Sequence, residues 1–177
     1  MNNKLFLLIT VGIFILGCQS ENDVEKPIPQ WSQEASINMN STFSQEETEA
    51  IEAYLSRRPD WKMKETGTGL QYFIYEKTEG IKPQVGDIVW VNFSVSLLNN
   101  KICYTSKRGD PESFMIEKSD IESGIHEGVQ LMSEGEKAKF ILPSHIAHGL
   151  IGDLDQIPPL ETVIYDIELL KIDRPYE

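Results

Sequence analysis

The sequence is short of basic residues, since 16 Lys and Arg stand against 28 Asp and Glu and give a formal charge of −12. Nucleic-acid phosphates are bound by clusters of Lys and Arg, and the chain has no such run, so no nucleic-acid partner is predicted. Two cysteines are too few for a disulfide-scaffold protein, and twelve glycines exclude a collagen-like repeat. The sequence also lacks the Gly-x-Ser-x-Gly elbow of hydrolases and a phosphate-binding glycine loop.

One long apolar run is present, at residues 5–16. It is shorter than the roughly 20 residues that span a bilayer and has the length of a signal-peptide core. Gly17 and Cys18 follow, and the junction resembles the bacterial lipobox, in which the cysteine is lipidated. The alternative is an ordinary signal peptide that contains a cysteine. We expect residues 1–17 to be a lipoprotein signal peptide. By resemblance to known lipoprotein sorting rules, Gln19 after the cysteine implies the outer membrane, where we expect a lipid-anchored domain facing the periplasm.

The segment before the globular part divides into a polar stretch and a helix. Residues 18–43 are rich in Ser, Asn, Gln and Glu without an apolar period, which predicts a lipidated Cys18 followed by a flexible tether. Residues 44–65 are predicted to be a helical extension. Ser44 and Glu47 have the spacing of a capping box, so we expect the helix to begin at Ser44. Its short apolar stripe predicts docking on the parent domain, although such helices also form dimers.

Residues 66–177 are predicted to form the globular domain, and from Gly69 onward the apolar pattern changes to a period of two, which is typical of strands. Six segments show it: residues 70–77, 87–98, 101–106, 113–116, 136–143 and 162–172. Between the fourth and fifth of these segments, residues 121–132 carry apolar side chains at helical spacing, which predicts a helix with Ser123 as its N-cap and Gly135 as its stop. Strands and helices do not alternate, so a parallel sheet is not expected. We predict an α+β fold: a curved antiparallel sheet of five to six strands wrapped around one short helix, with an N-terminal helical extension.

Few residues suggest metal or thiol chemistry. His145 and His148 have the spacing of two metal ligands, but they lie on an irregular segment whose geometry is undefined, so no metal site is predicted. Cys103 is a lone thiol and is expected to behave as a small apolar side chain. A sheet folded over a helix and lined with Phe, Tyr and Ile predicts a pocket for an apolar ligand.

A series of short motifs stands in a fixed order between residues 66 and 172. They are Gly69-Leu-Gln-Tyr72, Val85-Gly86-Asp87, Gly124-Ile-His-Glu-Gly128, Gly135-Glu136, Leu142-Pro-Ser144, Ala147-His-Gly149, Ile157-Pro-Pro159 and Tyr165-Asp-Ile-Glu-Leu-Leu170. Their order and spacing resemble the FK506-binding-protein class of peptidyl-prolyl cis-trans isomerases. The lipoprotein signal and the helical extension are similar to those of the gliding-motility-associated isomerase lipoproteins of the Bacteroidota.

This resemblance implies an enzyme that rotates X–Pro bonds in proline-containing polypeptides and so assists the folding of envelope proteins. The barrier of about 18–20 kcal/mol comes from amide resonance. A dry apolar pocket that binds the twisted amide better than the planar one lowers it. The resemblance implies no cofactor, no metal and no nucleophile. The oligomeric state is open.

The resemblance also assigns site residues. It implies three residues of the catalytic site: Phe93, His148 and Tyr165. It implies six that bind substrate: Cys103, Tyr104, Ile121, Glu122, Ile125 and Ile157. Glu122 is expected to act through its main-chain N–H, and Ile125 is expected at the pocket floor.

The sequence departs from the family pattern at several of these positions. Cys103 and Tyr104 replace a Phe–Asp pair, His148 replaces a Tyr whose hydroxyl binds a substrate carbonyl, and Glu112 stands where an aromatic wall residue is usual. Losing the Phe at position 103 is expected to weaken proline binding by about 1–2 kcal/mol. The departures leave one alternative open: a catalytically weak or inactive isomerase-like binding module of an envelope machine. A third hypothesis is a holdase that uses its N-terminal helix as a dimer arm.

Overall fold

The computed structural model describes residues 32–106 and 109–175, which form two α-helices, seven strands and one 3-10 helix. Their bounds in chain order are α1 Gln33–Leu55, β1 Lys64–Glu65, β2 Gln71–Glu76, β3 Ile88–Leu97, β4 Ile102–Thr105, β5 Glu112–Met115, α2 Ser123–Leu131, β6 Lys137–Leu142, the 3-10 helix Ser144–Ile146 and β7 Val163–Asp173. The predicted signal peptide, Cys18 and the tether up to residue 31 lie outside the described residues. Among the helices described, none is long and apolar enough to cross a bilayer.

All seven strands belong to one antiparallel sheet, in the order β1-β2-β6-β7-β3-β4, with β5 pairing to the first half of β3. Strands β3 and β7 pair along their whole length and place Val95 opposite Tyr165. The predicted α+β class and antiparallel sheet are confirmed. The predicted strand number was too low because β1 has only two residues, too few to show alternation, and it lies within the segment assigned to the helical extension.

Helix α2 packs closely on one face of the sheet because two of its residues have no side chain. A Cβ atom on Gly124 would lie 2.7 Å from Leu142, and one on Gly128 would lie 2.6 Å from the ring of Phe140. The helix begins at Ser123 with Glu122 as N-cap, not with Ser123 as N-cap as predicted. It ends at Leu131, before Gly135, because Met132 adopts an extended conformation with a ψ of 155°; Gly135 follows with a φ of +87° in the turn that leads into β6.

Helix α1 begins earlier than the sequence predicts. Ser32 is its N-cap, and its hydroxyl accepts a hydrogen bond from the Ala35 N–H at 3.1 Å. The prediction of a flexible tether is therefore wrong for the part from Gln33 to Phe43. Once the C-terminal half of α1 is docked, each preceding residue extends the helix without a new nucleation step, so an amphipathic pattern is not required there.

The C-terminal half of α1 docks on the face of the sheet opposite α2, as predicted. Ile51 and Tyr54 are buried against Ile141 and Ile164, which alternate with the side chains that face α2. Burying each of these apolar side chains contributes about 1.5–3 kcal/mol.

The Glu47 carboxylate adds a polar clasp to this interface. It accepts hydrogen bonds from Ser144 N–H at 2.6 Å, Ser144 hydroxyl at 3.2 Å and Thr162 hydroxyl at 2.7 Å. Because these groups lie outside α1, the predicted capping box of Ser44 and Glu47 does not form, and Glu47 joins the helix to the domain instead.

Candidate functional site

A cavity of about 180 Å³ lies between the sheet and the N-terminal end of α2. The period of two in β3, β5 and β7 turns alternate side chains toward it, and the residues around the start of α2 close it. Its lining residues are Val91, Phe93, Glu112, Ser113, Phe114, Ile121, Glu122, Ile125, Tyr165 and Ile167. Most of these side chains are apolar.

Five of the predicted site residues line this cavity: Phe93, Ile121, Glu122, Ile125 and Tyr165. The rings of Phe93 and Tyr165 lie on neighbouring strands, with centroids 5.9 Å apart and planes inclined by 47°. Ile125 is buried in the core beside them. The structure therefore brings together the three residues on which the predicted pocket depends most, Phe93, Ile125 and Tyr165.

A second cavity of about 250 Å³ adjoins the first, with which it shares four lining residues: Phe93, Glu112, Glu122 and Tyr165. Its other lining residues are Val95, Tyr104, Thr105 and His148. The two cavities together are called the groove, which is apolar at the end near Ile125 and polar at the end near His148.

Two predicted substrate-binding residues are not among those that line the groove. Cys103 is half-buried, with its Sγ 3.7 Å from the carbonyl oxygen of Gln156, and burial raises the pKa of its thiol. Ile157 is 2% exposed and belongs to the hydrophobic core. Both predictions placed an apolar side chain at the substrate, whereas in the structure both side chains pack against the hydrophobic core.

Glu122 is the polar centre of the groove. Its Oε1 atom accepts a hydrogen bond from the Tyr165 hydroxyl at 2.7 Å and lies 2.8 Å from Nε2 of His148. Burial raises the pKa of Tyr165 well above its ordinary value, and the nearby Glu122 charge raises it further, so the hydroxyl remains a donor. The sequence assigned Glu122 a main-chain role, and it did not predict these contacts of the side chain.

A second carboxylate, that of Asp153, contacts Tyr104 at the polar end of the groove. It accepts a hydrogen bond from the Tyr104 hydroxyl, and its Oδ1 accepts the N–H groups of Asp155 and Ile157 at 2.9 and 2.8 Å. Burial opposes its ionisation, but these hydrogen bonds dominate and lower the pKa of Asp153 to about 2. The hydrogen bond to Asp153, together with burial, raises the pKa of Tyr104 to about 12.

Sequence reasoning did not identify Asp153. The available signal was its place two residues before Asp155 in a turn, since an Asp in a turn often accepts hydrogen bonds from nearby backbone N–H groups.

Phe114 was also missed by sequence reasoning. It lies on β5, lines the cavity and packs edge-on against His126, with ring centroids 5.6 Å apart. Its place on a four-residue strand gave only a short alternation from which to assign its direction.

The remaining histidines have structural contacts. His126 is buried, accepts the Glu117 N–H at Nδ1 and contacts the Ser119 carbonyl through Nε2, so it fastens the loop between β5 and α2. His145 Nε2 lies 2.9 Å from the Thr68 carbonyl oxygen, whereas His148 binds Glu122. Within residues 32–106 and 109–175, no group of three or more His, Cys, Asp and Glu side chains could hold a metal ion.

Comparison with known proteins shows the family to which the fold belongs. The FKBP-type peptidyl-prolyl cis-trans isomerase family model matches residues 79–170. The chain is 39% identical over 114 residues to a probable FKBP-type isomerase, FkpA, of Neisseria meningitidis, which covers 64% of this chain and 41% of that protein. It is 31% identical over 182 residues to FkpA of Aeromonas hydrophila, which covers 98% of this chain and 66% of that protein. The chain thus spans about two fifths to two thirds of the length of these relatives.

Solved structures agree. The crystal structure of FkpA from Escherichia coli has a TM-score of 0.64 and 30% identity, with 78% of this chain and 64% of that chain covered. The crystal structure of a peptidyl-prolyl cis-trans isomerase from Pseudomonas syringae pv. tomato has a TM-score of 0.59 and 26% identity, with 72% and 96% covered. Because the family match covers residues 79–170, more than half of the chain, and includes strands β3 to β6, α2 and the residues that line the groove, the chain belongs to the FKBP-type peptidyl-prolyl cis-trans isomerase family.

Proposed function

We propose that this protein is a peptidyl-prolyl cis-trans isomerase that binds proline-containing segments of polypeptides in the groove. The observation that carries the proposal is the convergence of Phe93, Ile125 and Tyr165 on one cavity of about 180 Å³. Its apolar lining suits a pyrrolidine ring, and its open polar end leaves room for the chain on either side of the proline.

The reaction follows from amide physics. Rotation about the X–Pro bond removes resonance and makes the amide less polar, against a barrier of about 18–20 kcal/mol. The walls formed by Phe93 and Tyr165 and the floor formed by Ile125 exclude water from the bond, which disfavours the polar planar amide. Preferential binding of the twisted form lowers the barrier, and no covalent step is required. The main-chain N–H of Glu122 is the proposed donor to the flanking carbonyl.

The test is a coupled proline-peptide isomerisation assay on the full-length chain in detergent. Replacing Phe93→Ala removes one wall of the cavity and is expected to lower kcat/KM by about ten-fold or more, equivalent to at least about 1.4 kcal/mol of lost transition-state binding. The matched control is Phe73→Ala, because Phe73 pairs across β2 and β6 with Lys139 and faces away from α2. A folded wild type with no rate above background would overturn the proposal.

The second candidate function is a binding module that holds proline segments without turning them over. It is favoured by two observations: Cys103 does not line the groove, and Nε2 of His148 is already engaged by Glu122. Titration of the wild type with the same peptides separates the two functions. Saturable binding without catalysis would favour the module, whereas catalysis reduced by Phe93→Ala would favour the enzyme.

We further propose that Cys18 carries a lipid that anchors the protein to the outer membrane, with the domain facing the periplasm and assisting the folding of envelope proteins. The proposal rests on the apolar run and the Gly17-Cys18 junction. The similarity to gliding-motility-associated lipoproteins remains a prediction of the sequence. Labelled fatty acid should be incorporated by the wild type in a bacterial host and not by Cys18→Ser, and incorporation by both would exclude Cys18 as the acceptor.

A further inference from the structure

Glu122 has an unusual orientation for its place in the chain. It is the N-cap residue of α2, where an acidic side chain normally accepts the free N–H groups of the first turn and benefits from the helix dipole. Its side chain makes no such hydrogen bond. Instead, the carboxylate turns into the groove and lines both of its cavities.

The carboxylate is held there by one of its two oxygens. Oε1 accepts a hydrogen bond from the Tyr165 hydroxyl and contacts Nε2 of His148. No donor among the described residues lies within hydrogen-bond distance of Oε2. The side chain is 13% exposed, so little water reaches it even in the free protein. Glu122 is therefore fixed in direction and retains one acceptor for a ligand.

A polypeptide that fills the groove would remove most of the remaining water from Oε2. A carboxylate oxygen that loses water without gaining a donor costs free energy, and a site built around such a group discriminates against ligands that lack the partner. The other charges around the groove have the same sign. Glu112 lines both cavities, and Asp153 lies behind Tyr104 with a lowered pKa. His148 is the basic residue among the described lining residues.

We propose that Glu122 is a specificity-determining residue that makes the groove prefer proline segments carrying Lys or Arg directly beside the proline. The proline ring occupies the apolar end, and the flanking ammonium or guanidinium group donates to Oε2 of Glu122 at the polar end. This inference rests on the proposed function, because it takes the groove to be where the proline segment binds.

The test compares peptides of one length that differ only in the residue before or after proline: Lys, Leu or Glu. Binding is measured by fluorescence polarisation of labelled peptides, and turnover by the isomerisation assay, both on the full-length chain in detergent. The wild type is expected to bind the Lys peptide about three- to ten-fold more tightly than the Glu peptide at low salt, with a smaller ratio at high salt.

The Glu122→Gln variant keeps an oxygen acceptor for Tyr165 but removes the charge, and it should bring the Lys-to-Glu ratio close to one. The matched control is Glu79→Gln, which removes the same charge next to Gly80, where the chain packs against Glu134 beyond the other end of α2. This control should preserve the ratio.

The outcomes separate this inference from the function on which it rests. Equal affinity of the wild type for Lys and Glu peptides, or an unchanged ratio in Glu122→Gln, overturns the assignment of Glu122 even if all peptides are isomerised. Selective binding without any turnover supports the assignment and overturns the isomerase proposal instead. A ratio that falls equally in Glu79→Gln would show that only the overall charge of the protein matters and would also overturn the assignment.

Discussion

Replacing Gly128→Ala tests how closely α2 must approach the sheet. A Cβ atom at this position would lie 2.6–2.9 Å from three ring atoms of Phe140, a side chain with no exposed surface. Such overpacking costs about 2–3 kcal/mol, because the ring is enclosed by the core. Ala is favoured over Gly in a helix by about 1 kcal/mol, which offsets part of the cost. The net expected loss is about 1–2 kcal/mol of the free energy of unfolding.

This loss is measurable by urea denaturation and corresponds to a decrease in Tm of about 2–8 °C. Because α2 carries Ile125 and follows Glu122, its displacement should also lower kcat/KM in the isomerisation assay. The control is Gly67→Ala, where a Cβ atom would have no neighbour within 4 Å and the change in stability should stay within about 0.5 kcal/mol. A Gly128→Ala protein as stable as the wild type would refute the close-packing argument.

Three further predictions concern contacts that the sequence did not reveal. Tyr104→Phe removes a hydrogen-bond donor to Asp153. Because the pKa of Asp153 is lowered to about 2 in the folded protein, the ionised carboxylate stabilises the fold above about pH 4, and this stabilisation is lost toward pH 2. Urea titrations should therefore show the variant less stable than the wild type at pH 7, with a smaller difference at pH 3. Glu47→Ala leaves Ser144 N–H without its partner and should cost about 1–3 kcal/mol, with faster hydrogen exchange in α1; unchanged exchange would contradict the clasp. Cys103→Phe combined with Tyr104→Asp restores the Phe–Asp pair of the family, but the new carboxylate would face that of Asp153. The double variant is therefore expected to be less stable than the wild type and to gain nothing in kcat/KM. Higher activity in the isomerisation assay would show that the aromatic area at position 103 outweighs the repulsion between the two carboxylates.

The parts of the fold governed by periodic burial could be predicted from the sequence. The alternation in β3 and β7 fixed their inward faces, and the helical spacing of residues 121–132 located α2. The motifs in their order identified the family, and three residues that the resemblance assigned to the site, Phe93, Ile125 and Tyr165, line the same cavity. These inferences succeed because apolar side chains must be buried, and their spacing determines on which face.

Polar side chains could not be assigned in the same way. From the sequence, the side chain of Glu122 could equally cap its own helix or turn into the groove. Only the positions of Tyr165 and His148 in the fold decide between these two orientations. Glu47 showed the spacing of a capping box, yet its partners lie 97 and 115 positions away in the chain. Such long-range hydrogen bonds leave no periodic signal, and neither does the extension of a polar helix from a docked end.

The clasp at Glu47 has a consequence for how the groove is presented. The 23 residues of α1 make a rod of about 35 Å, and its C-terminal half is fixed to the domain while the residues before Glu47 are exposed. A helix fixed at one end is a rigid lever, so a restraint at the start of α1 also restricts the directions in which the groove can point. Shortening the exposed half would change the distance between the groove and that restraint.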